Sequence, residues 1–244
     1  MGWGALFRQR RGTASEEHWV PLSDLMTGLM MVFMLIAVLF MVKTEEESKK
    51  VQESARQVKE IAVLYDQMRV ALYEDLREEF RDDLSSWGAE VDQDLTVRFK
   101  EPDVLFDTGK DTLKPRFTAI LDNFFPRYVR IVAGPEYRDS IEEVRIEGHT
   151  SSFWNSSTSV GDAYFLNMAL SQSRTRSALR YVLGIPGVAV MRGWLESRLT
   201  ANGVSSSRLI HRADGTEDRN GSQRVEFRVR TNANERLAEI LTKQ

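Results

Sequence analysis

The 244-residue sequence contains no cysteine, which excludes disulfides and thiolate metal sites and suits an exported domain without redox chemistry. Histidine is scarce. His18, His149 and His211 lie far apart without metal-ligand spacing, so no metal site is expected. Neither sign of charge is in large excess: the formal net charge is −3, which gives no nucleic-acid footprint. Long apolar runs are also missing, with a single exception.

That exception is Val20 to Val42, VPLSDLMTGLMMVFMLIAVLFMV, apolar apart from Ser23, Asp24 and Thr27. As a helix it reaches roughly 34 Å, enough for a hydrocarbon core of about 30 Å. It is too long for the apolar core of a cleaved signal, and KTEEESKK follows it instead of a small-residue cleavage site. An uncleaved signal anchor is therefore expected. Arg8, Arg10 and Arg11 precede the run, and Glu45, Glu46 and Glu47 follow it. A basic flank marks the cytoplasmic side, so the N-terminus is expected inside and the large domain outside.

A carboxylate deep in a membrane helix costs about 2.5–3.5 kcal/mol, and such residues are rare unless used. Asp24 is thus the first candidate for function, with a helix N-cap at the membrane edge as the competing reading. Asp24, Thr27, Gly28 and Met31 share one face at i, i+3, i+4 and i+7. A small and polar stripe implies packing against protein. One helix cannot enclose a pore, so any ion path needs walls from a partner or a second copy. Met26, Met30, Met31 and Met34 read as adaptable membrane packing.

From Thr44 to Trp87 the chain is charged and free of glycine and proline. Val51, Ala55, Val58, Ile61, Leu64 or Tyr65, Met68, Leu72, Leu76, Phe80 and Leu84 recur every three to four residues. This spacing predicts a long amphipathic helix that either forms a parallel dimer or packs on its own domain. Beyond Asp94 the texture becomes mixed. LTVRF and DVLF read as strands, DTGKDTLKP as a turn, and PRFTAILDNFFPRYV as a helix. EEVRIEGHT reads as a strand, and a Ser-rich loop from Ser151 to Ser159 follows it. Next come a helix in YFLNMALSQSRTRSALRYVLG with Ala169, Leu170, Ala178, Leu179 and Val182 buried, a helix over MRGWLESRLT, and a closing strand RVEFRVR. The expected fold is α+β. Its parts are a tail over 1–19, a transmembrane helix over 20–43, a helical linker or dimerisation segment over 44–92, and a compact domain over 93–244.

Four motifs in the domain resemble the OmpA-like peptidoglycan-binding family. They are Val104-Leu105-Phe106-Asp107-Thr108-Gly109 with Leu113-Lys114-Pro115, Ile146-Glu147-Gly148-His149-Thr150, Asn167 through Arg174 (NMALSQSR), and Ser222-Gln223-Arg224-Val225-Glu226. Ser23-Asp24-Leu25-Met26-Thr27 resembles the membrane motif of MotB-type stator subunits. Among these, the long charged helix, GHTSS and YFLNMALSQSRTR are most similar to the B subunits of Zorya anti-phage systems. The resemblance implies a single-pass protein of the bacterial inner membrane, with a homodimer inside a multi-span ring of a MotA-like partner, ZorA. It implies a periplasmic domain that grips peptidoglycan and an indirect link to cytoplasmic defence effectors.

The resemblance also suggests roles for particular residues. Asp24 would carry the translocated ion, H+ or alternatively Na+ with help from the Ser23 and Thr27 hydroxyls. No other cofactor is implied. For wall binding the family pairs an Asp after Gly-His-Thr with the Arg of the Asn-x-x-Leu-Ser-x-x-Arg motif, gripping the zwitterionic end of meso-diaminopimelate. Arg174 matches that Arg, whereas Ser151 stands in the Asp position and the loop to Asn167 is longer than usual. Asp162 is the candidate substitute anion. Asn167, Leu170 and Ser171 would shape the pocket, and Arg224 reads as structural. The competing functions are a flagellar stator B subunit and a wall anchor that conducts nothing. No catalytic constellation stands out, so an enzyme is not expected.

Overall fold

The computed structural model describes residues 19–100, 105–233 and 238. Arg8, Arg10, Arg11, His18 and Val104 lie outside the described residues, and so does the basic flank behind the topology expectation. The chain divides into two compact units between Gln57 and Val58.

In the first unit the described residues form one helix, the start of α1 (Trp19–Phe80). Its apolar part is long and apolar enough to cross a membrane, and none of that window is buried. Leu, Met and Glu, all good helix formers, recur through the segment, and Gly28 is its one glycine. Just after the apolar part, Glu45 pairs with Lys49 at 2.7 Å and Glu46 with Lys50 at 3.1 Å. These i,i+4 pairs are exposed, with the acid N-terminal to the base. That orientation supports the helix by about 0.3–0.5 kcal/mol per pair.

The second unit contains the end of α1, then α2 (Leu84–Trp87), β1 (Ala89–Val91), β2 (Thr96–Phe99), α3 (Pro115–Val132) and β3 (Ile141–Gly148). Then come α4 (Val160–Gly184), a 3-10 turn (Pro186–Met191), α5 (Arg192–Arg198), β4 (Leu199–Gly203), α6 (Arg219–Ser222) and β5 (Val225–Thr231). The five strands lie in the order β1-β2-β5-β3-β4. All neighbours are antiparallel except β3 and β4, which are parallel and joined through α4. The fold is α+β. Two strands differ from expectation. Of DVLF only Leu105 and Phe106 are among the described residues, and there Phe106 makes an isolated bridge with Leu113. The end of the expected MRGWLESRLT helix is instead β4, whose short glycine-ended sequence carries little strand signal.

Period-two alternation sends Val144 and Ile146 of β3 and Val225, Phe227 and Val229 of β5 into one core. The apolar stripe of α3 packs there, with the Phe124 ring 5.2 Å from both Phe99 and Phe227. Leu72, Leu76 and Phe80 of α1 are fully buried in the same core. Phe80 lies 5.1 Å from Phe124, and Arg127 sits 4.8 Å over the Phe80 ring. Arg127 also donates to Glu79 at 2.6 Å and to Asp83 at 2.7 Å. For these three residues the long helix packs on its own domain, and the second unit begins well before residue 93. The same apolar period serves a dimer seam or a core, so the sequence pattern alone left both open. Val51 and Leu64, upstream in the series, remain 63% and 62% exposed.

The buried face of α4 matches expectation at Ala178 and Val182 and differs in the first half of the helix. Ala169 is exposed and Leu170 half-buried, whereas Ala163, Asn167, Ser171, Arg174, Thr175, Ala178 and Val182 are buried. The cause is close backbone approach. A Cβ on Gly148 would meet Thr175 Cγ2 at 2.6 Å, and one on Gly203 would meet the Gln172 backbone N at 2.1 Å. Only small and polar side chains fit where α4 lies this near to β3 and β4.

Candidate functional site

In the first unit, Ser23, Asp24 and Thr27 are exposed on the lone helix. The Thr27 hydroxyl donates to the Ser23 carbonyl oxygen at 2.8 Å, one turn back. Its proton is thereby occupied, and only oxygen lone pairs remain for an ion. A Cβ on Gly28 would meet nothing within 4 Å. The face of Asp24, Thr27 and Gly28 is thus open for another helix to approach closely.

In the second unit, α4 lines up Asn167, Ser171 and Arg174, all buried. Asn167 Nδ2 donates to the Ser151 carbonyl oxygen at 3.1 Å, tying the loop after β3 to the helix. The Ser171 hydroxyl donates to Met168 O at 3.0 Å and accepts from the Ser205 backbone N at 3.1 Å. Ser151 is itself buried, with Oγ 3.4 Å from Phe153 O. These residues hold the loops after β3 and β4 against α4.

Arg174 does not reach outward. Its Nε donates to Lys110 O at 2.9 Å and its Nη2 to Asp107 O at 3.1 Å. The guanidinium also lies 4.9 Å over the Phe106 ring. Burial lowers its pKa from the usual arginine value, partly opposed by the charge of Asp111. The clamped loop is a tight turn in which Gly109 takes φ +71°, a region that favours glycine. The cavity beside Arg174, lined by Phe106, His149 and Arg224, measures about 10 Å³. That is about one water.

Asp162 is not brought to Arg174. It lies roughly 18 Å earlier along α4 at 1.5 Å per residue. There its carboxylate accepts from the Ser159 hydroxyl at 2.6 Å, and its backbone N donates back at 3.1 Å, capping the helix. A different carboxylate reaches the loop. Glu217 accepts from the Ser152 backbone N at 2.9 Å and from the Ser152 hydroxyl at 2.5 Å. Sequence reasoning missed Glu217, and no local pattern marks it.

Arg224 is structural: Nε donates to Glu226 Oε1 at 2.7 Å, and Nη1 to Arg208 O at 3.1 Å and Ser222 O at 3.2 Å. It belongs to an ionic layer on the sheet face opposite the core. The alternate residues of β3 and β5 build this layer, and the register sets Glu226 opposite both Arg98 and Glu147. Arg98 Nε bonds Glu226 at 2.7 Å and Arg208 bonds Glu147 at 2.7 Å. His149 Nε2 stands 3.3 Å from Glu226 and 3.6 Å from Glu147. Burial pushes the Glu147 carboxyl up, but adjoining His149, Arg208 and Arg228 outweigh it and hold its pKa down at about 2. Glu226 is likewise lowered against its own burial by His149, Arg98 and Arg224. Glu147, His149 and Glu226 offer ligand atoms within 4.8 Å of one another. Arginines already occupy the carboxylates a metal would need, so the trio reads as an ion-pair knot.

The described residues combine a helix long and apolar enough to cross a membrane with an α+β domain that carries this polar loop-and-helix site. The chain belongs to the ZorB family: it is 48% identical over 227 residues to the Zorya protein ZorB of Escherichia coli, covering 93% of each chain. No protein-family model matches it. A MotB-like protein from Desulfovibrio vulgaris is similar in structure, with 25% identity, 71% of this chain and 94% of that one covered, and a TM-score of 0.48. The cell wall anchor of the type VI secretion system from Pseudomonas aeruginosa gives 20% identity, 64% and 96% coverage, and a TM-score of 0.43. The periplasmic domain of Helicobacter pylori MotB gives 14% identity, 61% and 84% coverage, and a TM-score of 0.40.

Proposed function

We propose that this chain is the wall-anchored B subunit of a proton-driven, stator-like complex of the inner membrane that acts in phage defence. In this reading the start of α1 crosses the membrane once over residues 20–43, with the N-terminal tail in the cytoplasm and the α+β domain in the periplasm. Within residues 44–92, the part ahead of the buried Leu72 serves as linker and dimerisation segment, and two copies stand inside a ring of a MotA-like, ZorA-type partner. Proton passage at Asp24 does mechanical work on the ring while the domain at 93–244 holds peptidoglycan. The motion reports envelope damage to cytoplasmic effectors.

Family membership supports the defence setting. The observation that carries the ion step is Asp24 itself. From Leu22 to Val42 it is the one ionisable side chain, and it shares a face with Thr27 and Gly28. Charge has no place against lipid there, so a protein partner must cover it, and a shielded carboxylate can load and release a proton. Asp24→Asn keeps the shape and removes that cycle. The expected result is normal membrane levels and ring assembly, with phage protection and proton flux both at background. Retained protection and flux in the Asn variant would overturn the reading.

A further inference from the structure

The end of β5 is tied to α1. Asn232 Oδ1 accepts from the Tyr65 hydroxyl at 2.5 Å, its Nδ2 donates to Asp139 O at 3.1 Å, and its backbone N donates to Ser140 O at 3.0 Å. The chain thus leaves the sheet beside Tyr65, and ANERLAEILTKQ follows. Ala233, Leu237, Ile240 and Leu241 recur there at i, i+4, i+7 and i+8, the spacing of one apolar helix face. Ala233 and Ala238 are both helical.

α1 offers a matching stripe at this level. Val58, Ile61, Tyr65 and Met68 follow i, i+3, i+7 and i+10 and lead into the fully buried Leu72. All four are half-buried, whereas Val63, Leu64 and Val70 are exposed. Ile61, Tyr65 and Met68 also line one side of a groove of about 390 Å³, and Glu136, Tyr137 and Ser140 line the other. Tyr137, bonded to Asp75 at 2.6 Å, stands at the Leu72 end, so the open direction from Asn232 is toward Val58. The lengths agree. As a helix, Leu237 and Leu241 lie about 7 and 13 Å beyond Asn232, and Ile61 and Val58 lie about 6 and 10 Å back from Tyr65.

We propose that residues 234–244 run back along α1 of their own chain as a helical strap, with Leu237 against Ile61 and Leu241 against Val58. Spacings of three and four on both helices suit a short antiparallel pair. Tethered at Asn232, the segment reaches the stripe at an effective concentration of order mM, which a second copy would have to exceed. The stripe from Val58 to Met68 is thereby closed to a partner, and Leu64 and the positions ahead of Val58 are left for a seam between copies. This inference stands apart from the ion and wall readings above.

The test uses the full-length protein in membranes. The chain has no cysteine, so introduced pairs report alone. On oxidation, Ile61→Cys with Leu237→Cys is expected to link within one chain, seen at monomer mass on a non-reducing gel. It should form at least about tenfold faster than Val63→Cys with Leu237→Cys, whose first thiol lies on the opposite side of α1. Replacing Leu237, Ile240 and Leu241 together by Asn should speed amide exchange over residues 58–68 about tenfold. Unchanged exchange in β3 and β5 confirms that this variant folds. A link found only at dimer mass would overturn the inference and give the stripe to a second copy. Equal rates for the Ile61 and Val63 pairs, no link in either, or unchanged exchange over residues 58–68 would overturn it as well. None of these results bears on Asp24, which its own Asn variant tests.

Discussion

Arg174 and Lys110 are joined across 64 residues of sequence by a hydrogen bond of 2.9 Å from the guanidinium Nε to the backbone carbonyl oxygen. Together with the bond to Asp107 O, it makes Arg174 the anchor of the turn between Phe106 and Leu113. Arg174→Gln should therefore destabilise the second unit. Hydrogen bonds to a charged group contribute about 1.5–3 kcal/mol each, so a loss of that order is expected in urea unfolding. Protease sensitivity should rise first between residues 105 and 114. An unchanged unfolding midpoint would show that the turn holds without the clamp.

Phe80 tests the junction of α1 with the sheet domain. It is fully buried against Trp87 and Phe124, and Phe80→Ala should cost about 3–5 kcal/mol in stability. Leu64→Ala, at an exposed position of the same apolar series, should leave the unfolding of the single chain nearly unchanged. If it weakens cross-linking between two copies, the upstream part of the series is a dimer seam. No change in cross-linking for Val51→Ala and Leu64→Ala together would remove that assignment.

Gly203→Ala should be among the most damaging small substitutions. The added carbon would sit 2.1 Å from the Gln172 backbone N, and neither backbone is free to shift alone. Overpacking of this kind costs about 1–3 kcal/mol or more, read as a lowered melting temperature. Gly161→Ala, where a Cβ meets nothing within 4 Å, is the matched control.

The ionic layer predicts an acid limit. The folded Glu147 carboxyl is held at about 2, below the ordinary value of 4.5, so it binds its proton later than in the unfolded chain. Its contribution is complete above about 4.5 and is lost as pH falls toward 2, and lowered Glu226 acts in the same direction. Unfolding free energy measured from pH 6 down should drop through that window. Glu147→Gln should flatten the drop and lower stability at pH 6. A parallel curve for the variant would assign acid sensitivity elsewhere.

The alternation in EEVRIEG and RVEFRVR was legible because apolar and charged residues strictly exchange, and both segments form the central strands. On α4 the same reading found Ala178 and Val182, which are buried, but also selected Ala169 and Leu170. The buried face instead carries Asn167, Ser171 and Arg174, because what they pack on is backbone and turns. Hydrophobic periodicity cannot register a polar interior face. Glu217 was invisible for another reason: its partner Ser152 lies 65 residues away and nothing local marks the pairing. Asp24, by contrast, stood out at once, since an acid in an apolar run needs no tertiary information to be noticed.

The Arg127 junction has a mechanical consequence. Arg127 grips Glu79 and Asp83 on either side of Phe80, while Leu72 and Leu76 lie buried one and two turns before it. A pull along the axis of α1 would load these contacts in shear, and all of them would have to give way nearly together. A helix held by a single terminal contact would peel off one turn at a time under the same load. In this unit, tension drawn through α1 passes into α3 and the sheet before any strand is unzipped.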